Sequence, residues 1–282
     1  MLSDKDIFKN GSTTYYWSSK FFPKKVREDV LKFYSFVRVV DDYVDQVPSD
    51  TKNFGQVHEM WEAARHDLSF DTVPLETDSL NEKIIKNLVY VVRKHDIDHT
   101  WIEAFFASMQ MDINKHVYKT VEDSLRYMYG SAEVIGLVMS KIIGLPDEAL
   151  MYARLQGRAM QYINFIRDIA EDNKLGRCYI PAKDLEHCGL KDLSRASARK
   201  NPEGFKKCLE LQIFRYQEWQ DEASEGFRFI PKKMRVPVAT AADMYAWTAK
   251  QIQADPFIVF KQKVKPSKGR VITQAIANVL VS

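Results

Sequence analysis

The sequence predicts an all-α fold, and the periodicity of its apolar residues is the main reason. Apolar side chains recur at the helical period along nearly the whole chain, and no stretch shows the strict alternation of a half-buried strand. The 282 residues contain no linker rich in Ser, Gly or Pro and no internal repeat beyond two acidic motifs. We therefore expect a single domain over residues 1–282, folded as a helical bundle.

Residues that start and stop helices divide the chain into elements. Pro23 precedes the first long helix, Ser79 caps the third, and Thr120 opens the fifth. Gly144 closes the fifth helix, and Pro202 begins the seventh. The predicted helices cover residues 24–47, 54–70, 79–95, 99–116, 121–143, 147–174, 203–228, 238–254 and 268–280.

Composition and charge argue against several classes of protein. The 41 basic and 38 acidic residues give a net charge of +3, which is too mild to indicate nucleic-acid binding. The longest apolar runs fall short of the roughly 20 residues that a membrane-spanning helix needs, and the N-terminus lacks the features of a secretory signal. Cys178, Cys188 and Cys208 lack zinc-ligand spacing, so we expect reduced thiols in a cytoplasmic protein. The sequence gives no basis for assigning an oligomeric state.

The first acidic motif, DDYVD, places a carboxylate at both i and i+4 of a helix. Tyr34, Arg38, Asp41 and Asp45 fall within roughly 60° of arc and form one polar line. The remainder of this helix is almost entirely apolar, which is typical of a buried element. We therefore expect these carboxylates to face an internal cavity.

The second acidic motif, DIAED, repeats this arrangement more than a hundred residues later. Gln161, Asn164, Asp168 and Asp172 fall within roughly 80° of arc, beside an apolar face. A single such motif is usually a solvated helix face, and a third match at 67–71 arises without a polar line beside it. Two acidic lines on two buried helices instead favour a divalent-cation site, because Mg²⁺ binds through a few carboxylates together with substrate phosphates. That arrangement suits the ionisation of a prenyl diphosphate, with the many aromatic residues shielding a carbocation.

Five segments of the chain resemble the squalene and phytoene synthases, which join two prenyl diphosphates head to head. The most specific is YINFIRDIAEDNKLGRCYIP at 162–181, and the aspartate-rich region is FYSFVRVVDDYVD at 33–45. The others are YMYGSAEVIGLV at 127–138, STTYYWSSKFFP at 12–23 and MYAWTAKQIQADPFIVFKQKV at 244–264. The resemblance runs essentially from end to end and implies an isoprenoid-synthase-type helical bundle around a central cavity.

The resemblance also implies roles for individual residues. The metal ligands would be Asp41, Asp45, Asn164, Asp168 and Asp172, with Tyr34 and Arg38 joining the aspartates in catalysis. The substrate-binding residues would be Ser12, Tyr129, Gln161, Asn164, Arg167, Arg177, Tyr179, Tyr245 and Lys263. This chain departs from the family pattern at two places. Glu133 replaces a small residue and could pair with a basic side chain, and Lys263 stands where the family tends to place Arg.

The implied reaction has two steps. One prenyl diphosphate ionises with the help of Mg²⁺, or of Mn²⁺ as an alternative ion, and its allyl cation attacks the second molecule to give a cyclopropylcarbinyl diphosphate. That intermediate ionises and rearranges, and proton loss gives phytoene or dehydrosqualene, whereas hydride from NADPH gives squalene. We favour phytoene from two geranylgeranyl diphosphates, with squalene or dehydrosqualene from farnesyl diphosphate as the alternative.

Other interpretations stay open at this point. DDYVD also fits a chain-elongating prenyltransferase or a terpene cyclase, although DIAED does not match their second motifs, and a non-catalytic binding relative is an alternative from another class. His95 and His99 have the spacing of a metal site, but capping at a helix junction explains them better. The basic cluster at 261–270 is a solvated face by default, with a diphosphate contact or a peripheral anchor to an anionic membrane as further hypotheses.

Overall fold

The computed structural model describes residues 3–66 and 79–281, and within those ranges the chain is helical with no strand. A lone parallel bridge joins Val117 to Cys178. The helices are α1 Asp4–Gly11, α2 Thr13–Ser19, α3 Lys24–Asp45, α4 Thr51–His66, α5 Leu80–His95, α6 His99–Asn114, α7 Val121–Met128, α8 Val134–Ile143, α9 Leu150–Arg167, α10 Ile169–Asp172, α11 Ala182–His187, α12 Arg195–Lys200, α13 Pro202–Ser224, α14 Lys232–Ala254 and α15 Lys268–Val281. The predicted all-α class is confirmed.

The capping residues work as the sequence indicated. The Ser79 side chain accepts a hydrogen bond from the backbone N–H of Glu82, and Thr120 does the same for Asp123. Gly144 ends α8 in the left-handed conformation, with φ of 78°. The predicted helix 54–70 begins earlier, at Thr51, and its last residues lie outside the described residues, as does the third acidic match at 67–71.

Two predicted long helices are interrupted. The predicted helix 121–143 is α7 and α8 joined by a π-helical turn, Tyr129–Glu133. The predicted helix 147–174 starts with a 3₁₀ turn, continues as α9 and breaks at Asp168, whose φ of −96° and ψ of 11° leave the helical region. The break separates the last acidic residues from α9, so the second polar line is not one straight helix face.

Short elements were missed by the sequence prediction. It assigned no helix to α1, α2, α11 or α12, and it began α14 at residue 238 although the helix starts at Lys232 and includes Pro237. The missed helices have six to eight residues each, too few for apolar periodicity to stand out.

Helix α9 is the central packing element. It packs against α13, α8 and α14, while α3 packs against α1 and α5. Two glycines let α8 and α9 approach closely: a Cβ on Gly136 would lie 2.1 Å from the Ala153 carbonyl oxygen, and one on Gly157 would lie 2.3 Å from that of Ala132. This close approach brings the middle segment of the chain against α9.

His95 and His99 serve separate local contacts. His95 Nε2 lies 3.0 Å from a carboxylate oxygen of Asp29, whereas the His99 ring packs edge-on against Trp61. Asp96 ends α5 in the left-handed region, and Asp98 caps α6 by accepting a hydrogen bond from Thr100. These contacts confirm the capping interpretation of this segment.

Among the described helices, none is both long enough and apolar enough to cross a membrane.

Candidate active site

A cavity of about 540 Å³ lies among the helices, a size typical of sites for small molecules. Residues of α1–α3, α6–α10 and α14 line it, together with the segment that follows α14. The predicted site residues that line it are Ser12, Tyr34, Arg38, Asp41, Asp45, Gln161, Asn164, Arg167, Asp168, Asp172, Arg177, Tyr179, Tyr245 and Lys263. The structure therefore brings together residues from distant parts of the chain.

Tyr129 does not line the cavity. Its ring lies in the π-helical turn with the guanidinium of Arg154 5.3 Å from its centre. The tyrosine of this motif that reaches the cavity is Tyr127, two residues earlier. Tyr129 was assigned from the family resemblance of this motif, and the irregular π-turn in which it lies turns its ring towards Arg154 and not into the cavity.

The cavity has a charged end and an apolar end. Along α3 the lining changes from Val30 and Phe33 to Asp41 and Asp45, over a helical rise of about 22 Å. Asp45 meets Arg177, with Nη1 and Oδ1 2.6 Å apart, which joins the end of α3 to the segment after the second acidic motif. The two acidic motifs therefore meet at the same end of the cavity.

Arginines and a lysine pair with most of the motif carboxylates. Arg38 Nη1 donates to Asp41 Oδ2 at 2.9 Å, and Arg167 Nε donates to Asp168 Oδ1 at 2.8 Å. Lys263 Nζ also lies 3.2 Å from Asp168 Oδ1. Lys263 thus lies at the charged end of the cavity, where its ammonium group contacts carboxylates in this structure.

Two of the motif aspartates have raised pKa values, so their ionised forms are disfavoured. Burial and the nearby Asp45 raise the pKa of Asp41 to about 8. Burial, Asp168 and Asp45 raise the pKa of Asp172 to about 8. Because Asp45 acts on carboxylates of both motifs, ionisation of Asp41 and Asp172 would crowd negative charge at this end of the cavity, and a cation placed there would favour their ionised forms.

Asp168 shows the opposite behaviour. Burial by itself would raise its pKa, but hydrogen bonds and charge from Arg167 and Lys263 outweigh burial and hold the pKa below its usual range. Asp168 is therefore ionised at neutral pH, in contrast to Asp172.

Asn164 presents a buried oxygen without a partner. Its Nδ2 donates to Gln161 Oε1 at 3.2 Å, whereas its Oδ1 has no hydrogen-bond partner among the described residues. A buried amide oxygen normally accepts a hydrogen bond, and amide oxygens are also ligands of hard divalent cations. Asn164 Oδ1 therefore fits the metal-ligand role that the family resemblance implies.

The motif aspartates do not form a closed cage for one ion. Within the described ranges, the only set of three or more His, Cys, Asp or Glu ligand atoms lying within 4.8 Å of one another is His58, Glu62 and Glu103, outside the cavity. More widely spaced carboxylates suit Mg²⁺, which keeps several waters and takes substrate phosphate oxygens as ligands.

The candidate site residues chosen from the sequence did not include three charged residues that line the cavity, Asp112, Glu171 and Lys265. Asp112 is 3% exposed, and the hydroxyls of Tyr127 and Tyr179 each donate to it at 2.6 Å. Burial raises its pKa to about 6 despite these hydrogen bonds. Lys265 has a lowered pKa, because of burial and the positive charges of Lys263 and Arg167.

The signal for Asp112 was a lone carboxylate that follows the apolar residues Phe105 and Met109 at helical spacing. Lys265 belongs to the basic cluster at 261–270, whose members are not simply solvated. Lys261 pairs with Asp255, and Lys268 lies over the ring of Trp17.

Glu133 is held away from the cavity. It is 1% exposed and accepts hydrogen bonds from Arg154, at 3.0 and 2.9 Å, and from Arg158, at 2.7 Å. Glu133, which departs from the family pattern, is thus part of an internal ion-pair network. This agrees with the expectation that it could pair with a basic side chain.

Comparison with known proteins agrees with the family resemblance seen in the sequence. A family model described as squalene/phytoene synthase matches residues 8–270. The chain belongs to the squalene/phytoene synthase family. Members of this family are prenyltransferases that condense prenyl diphosphates head to head, and the family uses a divalent metal.

Curated relatives cover most of the chain. The 15-cis-phytoene synthase of Enterobacter agglomerans is 30% identical over 236 residues, which is 83% of this chain and 80% of that protein. The phytoene synthase of Pseudescherichia vulneris is 27% identical over 95% of this chain and 87% of its own length.

Solved structures share the fold. A dehydrosqualene synthase in complex with a ligand has a TM-score of 0.76 at 20% identity and covers 99% of this chain and 94% of its own. The squalene synthase HpnC from Alicyclobacillus acidocaldarius has a TM-score of 0.73 at 22% identity, with coverage of 90% and 93%. These likenesses establish the isoprenoid-synthase-type all-α fold.

Proposed function

We propose that this prenyltransferase is a Mg²⁺-dependent phytoene synthase that condenses two geranylgeranyl diphosphates through a cyclopropylcarbinyl diphosphate. The observation that carries the proposal is the polarity of its cavity, where two acidic motifs and several cations meet at one end of a long apolar space. A prenyl diphosphate has the matching polarity, with a charged head and a long hydrocarbon tail.

The residues at the charged end would hold the metal ions. They are Asp41, Asp45, Asn164, Asp168 and Asp172, of which Asn164 contributes the unpartnered oxygen. When bound, Mg²⁺ stabilises the negative charge that develops on a departing diphosphate. Mn²⁺ would suit the same oxygen ligands.

The protein's own cations would bind and orient the diphosphate. Arg38, Arg167, Arg177 and Lys263 line the charged end, and each is already close to a carboxylate. A diphosphate entering with its counter-ions would exchange these internal pairs for contacts to phosphate oxygens, which arginine makes with two parallel hydrogen bonds. Burial and the nearby cations Lys263 and Arg167 lower the pKa of Lys265, so a bound anion would favour its charged form.

The apolar end would exclude water and shield cations. Phe22, Phe33, Phe227 and Ile230 line it, so a carbocation formed in the cavity meets ring faces and aliphatic carbon in place of water. Tyr15 and Tyr245 lie nearer the charged end with ring centres 5.8 Å apart, and burial raises the pKa of Tyr15 further above its usual range. Tyr15 therefore stays a neutral hydrogen-bond donor and does not supply a competing phenolate nucleophile.

The choice of geranylgeranyl diphosphate follows the named bacterial relatives, both of them phytoene synthases. The alternative is a C30 product from farnesyl diphosphate, as the names of the squalene and dehydrosqualene synthases of like fold suggest. NADPH would be required only if the product were squalene. Peripheral membrane association for delivery of an apolar product remains part of the hypothesis for the basic cluster at 261–270.

Product analysis tests this proposal. The purified protein is incubated with Mg²⁺ and either geranylgeranyl or farnesyl diphosphate, with and without NADPH, and the organic extract is analysed by mass spectrometry. We expect a C40 hydrocarbon that forms without NADPH and is absent when EDTA replaces Mg²⁺. A C30 product would reassign the substrate, and a product that keeps its diphosphate would indicate chain elongation. If no product forms from either substrate, the non-catalytic interpretation would replace the proposal.

A further inference from the structure

A cluster of side chains that could bind a metal ion lies outside the cavity, between α4 and α6. His58 and Glu62 are one turn apart on α4, and Glu103 faces them from α6. One ligand atom from each lies within 4.8 Å of the other two. None of these residues lines the cavity, so the cluster is separate from the diphosphate site.

The distances within the cluster are too long for hydrogen bonds. His58 Nε2 lies 3.6 Å from Glu103 Oε2 and 3.8 Å from Glu62 Oε1. Although the His58 side chain is 40% exposed overall, its Nε2 atom is buried and has no hydrogen-bond partner within the described residues. A buried ring nitrogen that approaches two carboxylate oxygens without bonding to either is an unusual arrangement for a surface ion pair.

The same distances fit two ligands of one metal ion. Tetrahedral ligation at about 2.0–2.2 Å separates two ligand atoms by roughly 3.3–3.6 Å. The observed separations exceed this range by at most a few tenths of an ångström. The ligand oxygens of Glu62 and Glu103 lie within 4.8 Å of each other, so side-chain rotation that draws them together would place all three atoms in a first coordination shell, which a water would complete.

The other carboxylate oxygens are held by outer donors. Trp61 Nε1 donates to Glu103 Oε1 at 2.6 Å, and Arg65 Nη1 lies 3.2 Å from the same atom. Arg65 Nη2 lies 2.9 Å from Glu62 Oε2. Each glutamate thus directs one oxygen to a fixed donor and the other towards His58, which is how outer hydrogen bonds orient metal-ligating carboxylates.

The imidazole ring and the local charge complete the arrangement. The His58 ring stacks on Phe106 with centres 4.4 Å apart and planes 25° apart, which fixes the direction of Nε2. Two carboxylates face a single guanidinium, so the cluster keeps one excess negative charge when the imidazole is neutral. A bound dication would neutralise this excess and leave one net positive charge.

We propose that His58, Glu62 and Glu103 form a binding site for a transition-metal dication, Zn²⁺ by preference, that clamps α4 to α6. An imidazole with two carboxylates suits Zn²⁺ better than Mg²⁺ or Ca²⁺, which prefer oxygen ligands alone. The site has a structural role, because it joins two helices outside the substrate cavity.

Zinc titration of the purified full chain tests the proposal. The protein is stripped with EDTA, exchanged into buffer with excess Mg²⁺ to compete at the cavity, and titrated with Zn²⁺ by calorimetry and with Co²⁺ by visible absorption. We expect one Zn²⁺ per chain and a tetrahedral Co²⁺ spectrum. The variant His58→Gln should bind Zn²⁺ at least about a hundredfold more weakly and lose that spectrum.

The exposed His116 provides a matched control, since His116→Gln removes an imidazole outside any such cluster and should bind Zn²⁺ like the parent. Circular dichroism without zinc verifies folding. If His58→Gln fails to fold, Glu62→Gln gives the same test while keeping the ring stacked on Phe106. The proposal would be overturned if the parent and the folded variant bound Zn²⁺ with equal affinity, or if the parent bound no stoichiometric Zn²⁺. The cluster would then be an ion pair between the imidazole and the carboxylates.

Turnover separates this site from the proposed reaction. With saturating Mg²⁺, the folded His58→Gln variant should form hydrocarbon at the parent rate. If the folded variant lost turnover, the metal site would not be separate from catalysis. If the parent itself were inactive, the proposed reaction would fail, and the zinc titration alone would decide the metal-site proposal.

Discussion

At the residue scale, the charged end of the cavity depends on carboxylates in unequal states. Asp168 is kept ionised by Arg167 and Lys263, whereas Asp41 and Asp172 have pKa values raised to about 8. The sequence predicted all three from helical spacing, but it could not predict their protonation, which depends on burial and on neighbours from distant segments, such as Lys263 for Asp168 and Asp45 for Asp172.

Replacing Asp168 by Asn should reduce turnover by about a hundredfold or more while the fold is kept, because a ligand for the metal and a partner of two cations are both lost. Steady-state hydrocarbon formation measures the effect. Asp42→Asn is the control: Asp42 is also an aspartate of an acidic motif, DDYVD, and pairs with an arginine, but it does not line the cavity. Its turnover should fall by less than about tenfold, and equal losses in both variants would contradict the assignment.

The variant Asn164→Leu should weaken metal binding without lowering the stability of the fold. Removing an unpartnered buried oxygen should leave the free energy of unfolding of the metal-free protein unchanged or raised by about 1–2 kcal/mol. The Mg²⁺ concentration for half-maximal turnover should rise at least about tenfold, as measured by titrating activity.

The control for Asn164→Leu is Asn81→Leu. Asn81 is a buried amide that accepts from Tyr43 and donates to Asn53 and Gln56. Its loss should destabilise the fold by about 2 kcal/mol or more. If Asn164→Leu destabilised the fold as much as Asn81→Leu does, the unpartnered state of its oxygen would be refuted.

The raised pKa values also predict how stability depends on pH. Between about pH 4 and pH 8 the unfolded chain has ionised Asp41 and Asp172, while the folded protein keeps them protonated, so the folded state binds more protons. The contribution of these groups to stability is therefore present at low pH and is lost as the pH rises towards 8.

Denaturant unfolding between pH 5 and pH 9 measures this dependence without metal, and Asp41→Asn should flatten it. Adding Mg²⁺ with inorganic diphosphate should restore stability at the upper end of the range. A stability of the metal-free protein that rises steadily to pH 8, with no change in Asp41→Asn, would show that these aspartates are ionised in the folded state.

At the element scale, the long amphipathic helices were predictable and their interruptions were not. The bounds of α3, α5 and α6 follow from apolar periodicity and caps that act locally. The π-turn Tyr129–Glu133 and the break at Asp168 instead depend on packing: Gly130 lies so near α6 that a Cβ would come within 1.9 Å of the Ala104 carbonyl oxygen. Periodicity carries no information about such contacts. The family resemblance that pointed to Tyr129 does not show which tyrosine of the motif reaches the cavity either, and in the structure it is Tyr127.

The close packing of α9 gives a prediction for Gly157. Gly157→Ala would put a methyl group 2.3 Å from the Ala132 carbonyl oxygen and force the two backbones apart, which should lower the free energy of unfolding by about 1–3 kcal/mol. Gly55→Ala is the control, because nothing lies within 4 Å of its Cβ and alanine favours a helix by up to about 1 kcal/mol. Chemical denaturation compares the two variants, and a neutral Gly157→Ala would disprove the tight approach.

At the scale of the whole molecule, the bundle gives one cavity with chemically different ends. The sequence located the acidic end because its residues recur at helical spacing. It could not locate the apolar end, whose lining comes from segments as distant as Phe22, Ile143 and Phe227 and does not differ in pattern from ordinary core. The length of that end should govern which prenyl chain is accepted.

Ala153 lines the cavity on α9, about 16 Å of helical rise before Asn164. Ala153→Phe should shorten the apolar end and lower kcat/KM for geranylgeranyl diphosphate at least about tenfold relative to farnesyl diphosphate. The exposed Met151 provides the control, since Met151→Phe adds an aromatic ring on the outside and should leave that ratio unchanged. An unaltered ratio in Ala153→Phe would mean that the chain binds elsewhere.

Release of inorganic diphosphate from geranylgeranyl diphosphate tests the central claim most directly. The account predicts that the parent protein with Mg²⁺ releases one diphosphate for each substrate consumed, and that Asp168→Asn, although folded, releases at most about a hundredth as fast. Release of one diphosphate for every two substrates, or a near-normal rate in Asp168→Asn, would contradict head-to-head condensation at the charged end of this cavity.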